Sequence, residues 1–295
     1  MKKVVRMLGL CALVALAFTS CKKNETNGTV KFMATLSQPA TDTRTHIEID
    51  GDGIRGLYWD AEDNIKVVNK ANNLAESFTL VNKNGQEAYF EGDAEFLANL
   101  DTDSSYIAFY PNAVEGEGCM ELQVKPGQNF GWDTFDNNTY PMYGFNGKKD
   151  QDNNFEFHSH AGILEVAFQL NDGFYPEGTE IALSNIVLRG SENDVLSCTM
   201  QYDFNGVKTI KDDEIKSNSI TLNCENEDVK LLRNRPTFFY FVLPEGALAE
   251  GFTITLNTLA GGSVTYEVGA HAENTIVAEQ ITWFDRKYIS EPDFQ

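Results

Sequence analysis

Along most of this chain, apolar and polar residues alternate one by one. In Thr29-Val30-Lys31-Phe32-Met33-Ala34-Thr35-Leu36, the residues Val30, Phe32, Ala34 and Leu36 fall on one face of an extended segment, because successive side chains of a strand point to opposite sides. The same period predicts strands over 64–68, 76–81, 87–92, 105–110, 121–124, 154–157, 163–170, 180–188, 219–222, 237–243, 252–258, 263–268 and 274–284. Stretches with the helical period of 3.6 are almost absent. Asn-Gly at 84–85, 146–147 and 205–206, Asp-Gly at 50–51, 52–53 and 172–173, and Gly261-Gly262 supply the positive φ of tight turns. Many short strands punctuated in this way predict an all-β protein folded as sandwiches.

The pattern fails in two places. From 127 to 152 the chain is rich in Asn, Gly and Asp, with Pro141 inside it, and a fresh series of strands begins at Phe155. This places a boundary between an N-terminal unit, 21–150, and a C-terminal one, 151–295. The roughly 275 residues concerned suit two tandem sandwich domains at about 100–200 residues each. The other failure is at the start. Lys2, Lys3 and Arg6 precede an apolar run from Met7 to Phe18, which ends in Phe18-Thr19-Ser20-Cys21. The run is shorter than the roughly 20 apolar residues a spanning helix needs, and Lys22-Lys23-Asn24-Glu25 follows at once. Residues 1–20 read as a removable lipoprotein signal peptide, with Cys21 as the first mature residue and the carrier of the lipid. Two or more acyl chains there make membrane attachment durable.

The chain carries 44 acidic against 23 basic residues, a formal net charge of −21. Such a surface repels phosphate backbones, which excludes nucleic acid as a partner. Beyond the leader and Cys21 remain Cys119, Cys198 and Cys224. That set permits one bridge, Cys198–Cys224, or three free thiols, buried as small hydrophobes.

Candidate chemistry is sparse. His158-Ser159-His160 sets two imidazoles at strand spacing, but the sequence places no third ligand and no metal is expected. Asp50-Gly51-Asp52-Gly53 and Asp212-Asp213-Glu214 lack the ligand ladder of a calcium loop and read as solvated turns. No nucleophile, base and orienting group can be nominated together, and no nucleophile elbow is present, so neither enzymatic activity nor a cofactor is expected. Trp132, Phe135, Tyr140 and Tyr143 crowd the loosest loop, either pinning it to the sandwich or forming a candidate glycan contact, since sugar faces stack on aromatic rings. Arg44, in the polar connection 37–45 after the first strand, is a candidate processing site.

Taken in order, Thr43-Arg44-Thr45, the segment Leu57-Tyr58-Trp59-Asp60-Ala61-Glu62-Asp63-Asn64-Ile65-Lys66-Val67, Ala88-Tyr89-Phe90-Glu91-Gly92, Tyr106-Ile107-Ala108-Phe109-Tyr110-Pro111, 155–166 and Phe241-Val242-Leu243-Pro244 resemble the fimbrillin-like (Mfa-like) lipoproteins of Bacteroidales. The resemblance implies two transthyretin-like β-sandwiches in a type V pilus subunit at the outer membrane or cell surface, within a fimbrium once assembled. It implies cleavage after Arg44, loss of the strand bearing Val30, Phe32, Ala34 and Leu36, and replacement of that strand by one from a neighbouring subunit. The implied partners are other pilus subunits, in a homo- or hetero-polymer, the membrane through Cys21, and a host protein or glycan. The C-terminal segment departs from a stalk subunit, because Pro292 interrupts pairing near its end. A donor strand from this chain would have to include 276–288. The alternative is a surface glycan-binding lipoprotein that does not polymerise.

Overall fold

The computed structural model describes residues 29–36, 46–49, 55–84, 86–93, 106–111, 113–146, 154–290 and 294. Cys21, Arg44 and the turn 50–53 lie outside them. The strands in chain order are β1 (Thr29–Leu36), β2 (His46–Ile49), β3 (Arg55–Tyr58), β4 (Asn64–Asn69), β5 (Leu74–Asn84), β6 (Glu87–Asp93), β7 (Tyr106–Tyr110), β8 (Val114–Gly116), β9 (Cys119–Val124), β10 (Gly127–Asn129), β11 (Met142–Asn146) and β12 (Asn154–Ser159). They continue as β13 (Ala161–Leu170), β14 (Glu180–Gly190), β15 (Cys198–Asp203), β16 (Lys208–Ile210), β17 (Ser219–Asn223), β18 (Lys230–Leu232), β19 (Thr237–Pro244), β20 (Phe252–Thr258), β21 (Ser263–Val268), β22 (Ile281–Trp283) and β23 (Lys287–Ile289). Among the described residues the only helical pieces are single 3₁₀ turns at Glu225–Glu227 and Ala272–Asn274. The protein is all-β, as the period-two pattern predicts.

Seven strands close on themselves in the order β1-β12-β11-β7-β4-β5-β6 and back to β1. Two further sheets, β10-β17-β14-β20-β21 with β18 also on β14, and β19-β13-β22 with β23 also on β13, face each other. Phe168 of β13 meets Tyr266 of β21 at 5.6 Å and Phe239 of β19 at 6.0 Å. A fourth sheet, β16-β15-β9-β8, joins the two parts. The Gln128 side chain, fully buried, extends the β19 edge: its amide donates to the Val242 carbonyl at 2.9 Å and its carbonyl accepts from the Val242 N–H at 3.0 Å.

Strand pairing crosses the division drawn at 150–151. β12, which sequence placed in the C-terminal unit, lies between β1 and β11. β9 and β10, from the N-terminal half, pair with β15 and β17. The physical reason is aromatic: Phe155 and Phe157 of β12 are buried in the interior of the closed sheet. β11 and β12, on either side of that polar stretch in sequence, are antiparallel neighbours. The chain passes from the closed sheet to the sandwich at His160, where the Ser159 hydroxyl accepts from Ala161 N–H at 2.9 Å and donates to the Pro141 carbonyl at 2.6 Å.

The strand expected over 274–284 is broken. Glu279 sits in the left-handed region with φ 61°, and within 274–284 only β22 forms, beyond it. This bend crosses β13 at Gly162, where a Cβ would stand 2.3 Å from the Val277 carbonyl oxygen, so the crossing requires glycine. β15, with Cys198, Met200 and Tyr202 buried on one face, is a strand the sequence reading omitted although its alternation is plain.

Candidate functional site: the first strand and its groove

β1 is an inner strand. It runs antiparallel to β6, Thr29 opposite Asp93 through Thr35 opposite Glu87, and parallel to β12, Met33 beside Asn154 through Leu36 beside Phe157. Both of its backbone edges are therefore used. The face expected to be apolar is the buried one: Phe32 and Ala34 are 0% exposed, Leu36 is 4% exposed, and Val30 is half-buried opposite Gly92. The Phe32 ring lies 5.1 Å from Phe78, 5.3 Å from Tyr106 and 5.1 Å from Phe155. Phe78 occupies the space over Gly92, where a Cβ would come within 2.6 Å of its ring. The outer face carries the exposed Lys31–Glu91 pair at 3.3 Å, which adds little to stability.

The residues of the Trp59-to-Val67 segment build the far wall of this interior. The Trp59 indole is buried, edge-to-face with Phe90 at 5.1 Å, Tyr110 at 5.4 Å and Phe157 at 5.3 Å, and its N–H donates to the Gln86 carbonyl. Asp63 holds the turn that follows: one carboxylate oxygen accepts from Asp60 N–H at 2.6 Å and the other from the Tyr110 hydroxyl at 2.8 Å. Burial pushes the Asp63 carboxyl up to about 6, against the two hydrogen bonds that favour its charged form. The motif-bearing side chains thus serve packing. Phe78 and Tyr106, which complete the groove, lie in predicted strands, but only the closure of the sheet brings them beside Phe32.

The four aromatic residues of the loosest loop form no common platform. Phe135 and Tyr140 are each 1% exposed, their rings 5.6 Å apart, and the Tyr140 hydroxyl donates to the Ala161 carbonyl. Both are core residues, with no ring face open to solvent for a sugar to stack on. Trp132 is exposed and leans on Phe130, while Tyr143 stacks on His160 at 5.2 Å elsewhere.

The two imidazoles lean on different carboxylates, His158 Nδ1 at 3.1 Å from Glu279 and His160 Nδ1 at 2.9 Å from Glu245, which Lys208 also contacts. Burial, then the Lys208 charge, lowers the His160 pKa against the pull of Glu245. Among the described residues no three His, Cys, Asp or Glu side chains are arranged to hold a metal ion. Asp212 pairs with Lys216 and Asp213 accepts from Ile215 N–H, as in a solvated turn. Cys119, Cys198 and Cys224 are free thiols, and burial raises Cys198 to about 11 and Cys224 to about 12.

No protein-family profile matches the chain, and no curated protein sequence matches it. Among solved structures, its fold is similar to that of a candidate cell adhesion protein from Bacteroides ovatus, with a TM-score of 0.55 at 10% identity, over 90% of this chain and 93% of that one. A second candidate cell adhesion protein, from Bacteroides uniformis, gives a TM-score of 0.52 at 17% identity, over 91% of this chain and 96% of that one. The shared fold agrees with the fimbrillin-like resemblance of the sequence.

Proposed function

We propose that this chain is a non-enzymatic cell-surface subunit of fimbrial or adhesive type, anchored by a lipid on Cys21 and assembled by strand exchange once cleavage after Arg44 frees β1. The observation that carries this reading is the position of β1. It is the first strand among the described residues, it completes a closed sheet, and its removal opens an apolar groove with two unpaired edges, on β6 and β12. Unpaired edges beside an apolar face are what β-augmentation uses. The names of the two similar structures support an adhesive role, and the absence of any nominated catalytic group in the sequence supports a non-enzymatic one. Partners would be other subunits, at the outer membrane or in a fimbrium.

The test is to lock the strand. Positions 34 and 88 are paired across β1 and β6, so Ala34→Cys with Ala88→Cys joins the two strands by a disulfide. The chain is expected in fibres sheared from cells and the locked variant is expected to be missing from them, with incorporation restored by reductant. A locked variant that enters fibres as well as the parent would reject strand exchange. Anchoring is tested separately with an alkyne fatty acid, whose label is expected to disappear in Cys21→Ser.

A further inference from the structure

We infer that the groove under β1 selects its replacement strand by a small residue at the position of Ala34, and that the donor is a strand of a different chain, not residues 274–290 of a second copy. This deepens the strand-exchange reading above and rests on it.

The selectivity comes from three positions. Phe90 of β6 is paired with Phe32, and Phe157 of β12 with Leu36. The Trp59 indole contacts both rings, at 5.1 and 5.3 Å. These rings flank β1 on opposite sides, one level with Phe32 and the other with Leu36, so an indole touching both passes over β1 at the inward position between them, which is Ala34. The neighbour of Ala34 on β6 is another alanine, Ala88, and both are 0% exposed. Two methyl groups side by side leave room there for the indole. A larger side chain at position 34 would displace Trp59 from Phe90, Tyr110 and Phe157 together. One step along, the Phe32 position is a pocket walled by Phe78, Tyr106 and Phe155, which an aromatic ring fills and a polar side chain would leave dry and unpaired. The Leu36 position is 4% exposed and takes an aliphatic group. The groove therefore reads bulky apolar, small, bulky apolar at alternate residues. It reads them in one direction, antiparallel to β6 and parallel to β12.

Residues 274–295 contain no such frame. The small residues there are Thr275, Ala278, Thr282 and Ser290. Thr275 is flanked at alternate positions by Glu273 and Val277, Ala278 by Ile276 and Gln280, Thr282 by Gln280 and Phe284, and Ser290 by Tyr288 and Pro292. Three of the four frames put Glu or Gln in an apolar pocket. The last puts proline, which has no N–H to donate, in a strand paired on both edges. The same segment also has an occupation of its own: β22 and β23 pair with β13 in their own molecule, and Glu279 binds the Ser159 N–H at 2.8 Å.

The experiment uses the mature chain carrying a specific protease site within 37–45, cut and stripped of β1 in mild denaturant. On return to buffer it is titrated with fluorescent peptides, read by anisotropy and by thermal midpoint. Three peptides are compared: residues 29–36, the same with Ala34→Leu, and residues 274–290. The expected result is binding and a raised midpoint with the first, affinity lower by at least about tenfold with the second, as overpacking of a filled core predicts, and no saturable binding with the third. Equal binding of the first two peptides, or saturable binding of 274–290, overturns the inference while leaving strand exchange intact. Failure of the 29–36 peptide itself to bind overturns strand exchange, and the inference with it.

Discussion

Single residues decide how the interior tolerates its polar groups. Asp63 is 3% exposed and its carboxyl titrates near 6, above the ordinary 3.8, chiefly because burial disfavours its charge. Since the folded protein keeps this proton at pH values where the unfolded chain has lost it, the Asp63 contribution is most favourable below about pH 4 and declines as pH rises through about 6. Urea midpoints measured across pH 4 to 6 should show that decline, and Asp63→Asn should flatten it; an unchanged slope would show that another group titrates there. Gln128 presents the neutral counterpart. It satisfies both backbone groups of Val242 in a site from which water is excluded, so Gln128→Leu strands a donor and an acceptor and should cost about 2–4 kcal/mol in denaturant unfolding. Gln128→Glu keeps both a donor and an acceptor only while its carboxyl is neutral, so its cost should grow as pH rises and the buried carboxyl ionises against the Val242 carbonyl.

At the scale of elements, the strands were legible where alternation is clean and turns are marked, as in β1, β6, β14, β20 and β21. Their pairing was not legible. Period two states which face of a strand is apolar, but not which strand lies beside it, and the parallel partnership of β1 with β12 joins residues about 120 positions apart. The pairings that run across 150–151 were hidden for the same reason, since composition marks a polar connection whether or not the body changes there. The break at Glu279 could not be read from an apolar series that runs on past it. For β1 the inward face and the register of its apolar positions were legible, while Phe78, Tyr106 and Trp59 as the surroundings of that face were not. The strand's weight in the fold can be measured: Phe32→Ala removes a ring that touches three others and should cost about 3–5 kcal/mol. Thr35→Ala, on the half-buried outer face, removes one 3.3 Å hydrogen bond to the Phe155 carbonyl and should cost under about 1.5 kcal/mol. Equal costs would mean that the inward face is not the part that holds β1.

For the whole molecule, a net charge of −21 keeps intact copies apart, while the groove, once opened, draws strands in. The two effects differ in range. Charge repulsion between surfaces weakens within about 8–10 Å at physiological salt, whereas the groove acts only on contact, through Phe78, Tyr106, Phe155 and the free edges of β6 and β12. Burying the Phe32 and Leu36 side chains is worth about 1.5–3 kcal/mol each, and two unpaired edges add to the drive to associate. The uncut chain is therefore expected to run as a monomer in gel filtration at any ionic strength. A chain cut within 37–45 should also run as a monomer while β1 stays in place without its covalent link. After β1 is stripped away, association should appear, should quicken as salt rises from low to physiological concentration because repulsion is screened, and should be suppressed by excess 29–36 peptide. Salt dependence without peptide suppression would point to general aggregation of an unfolded body. A stripped chain that stays a stable monomer at every salt concentration and also fails to bind the 29–36 peptide would mean that β1 is dispensable and that the groove has no claim to be the site of assembly.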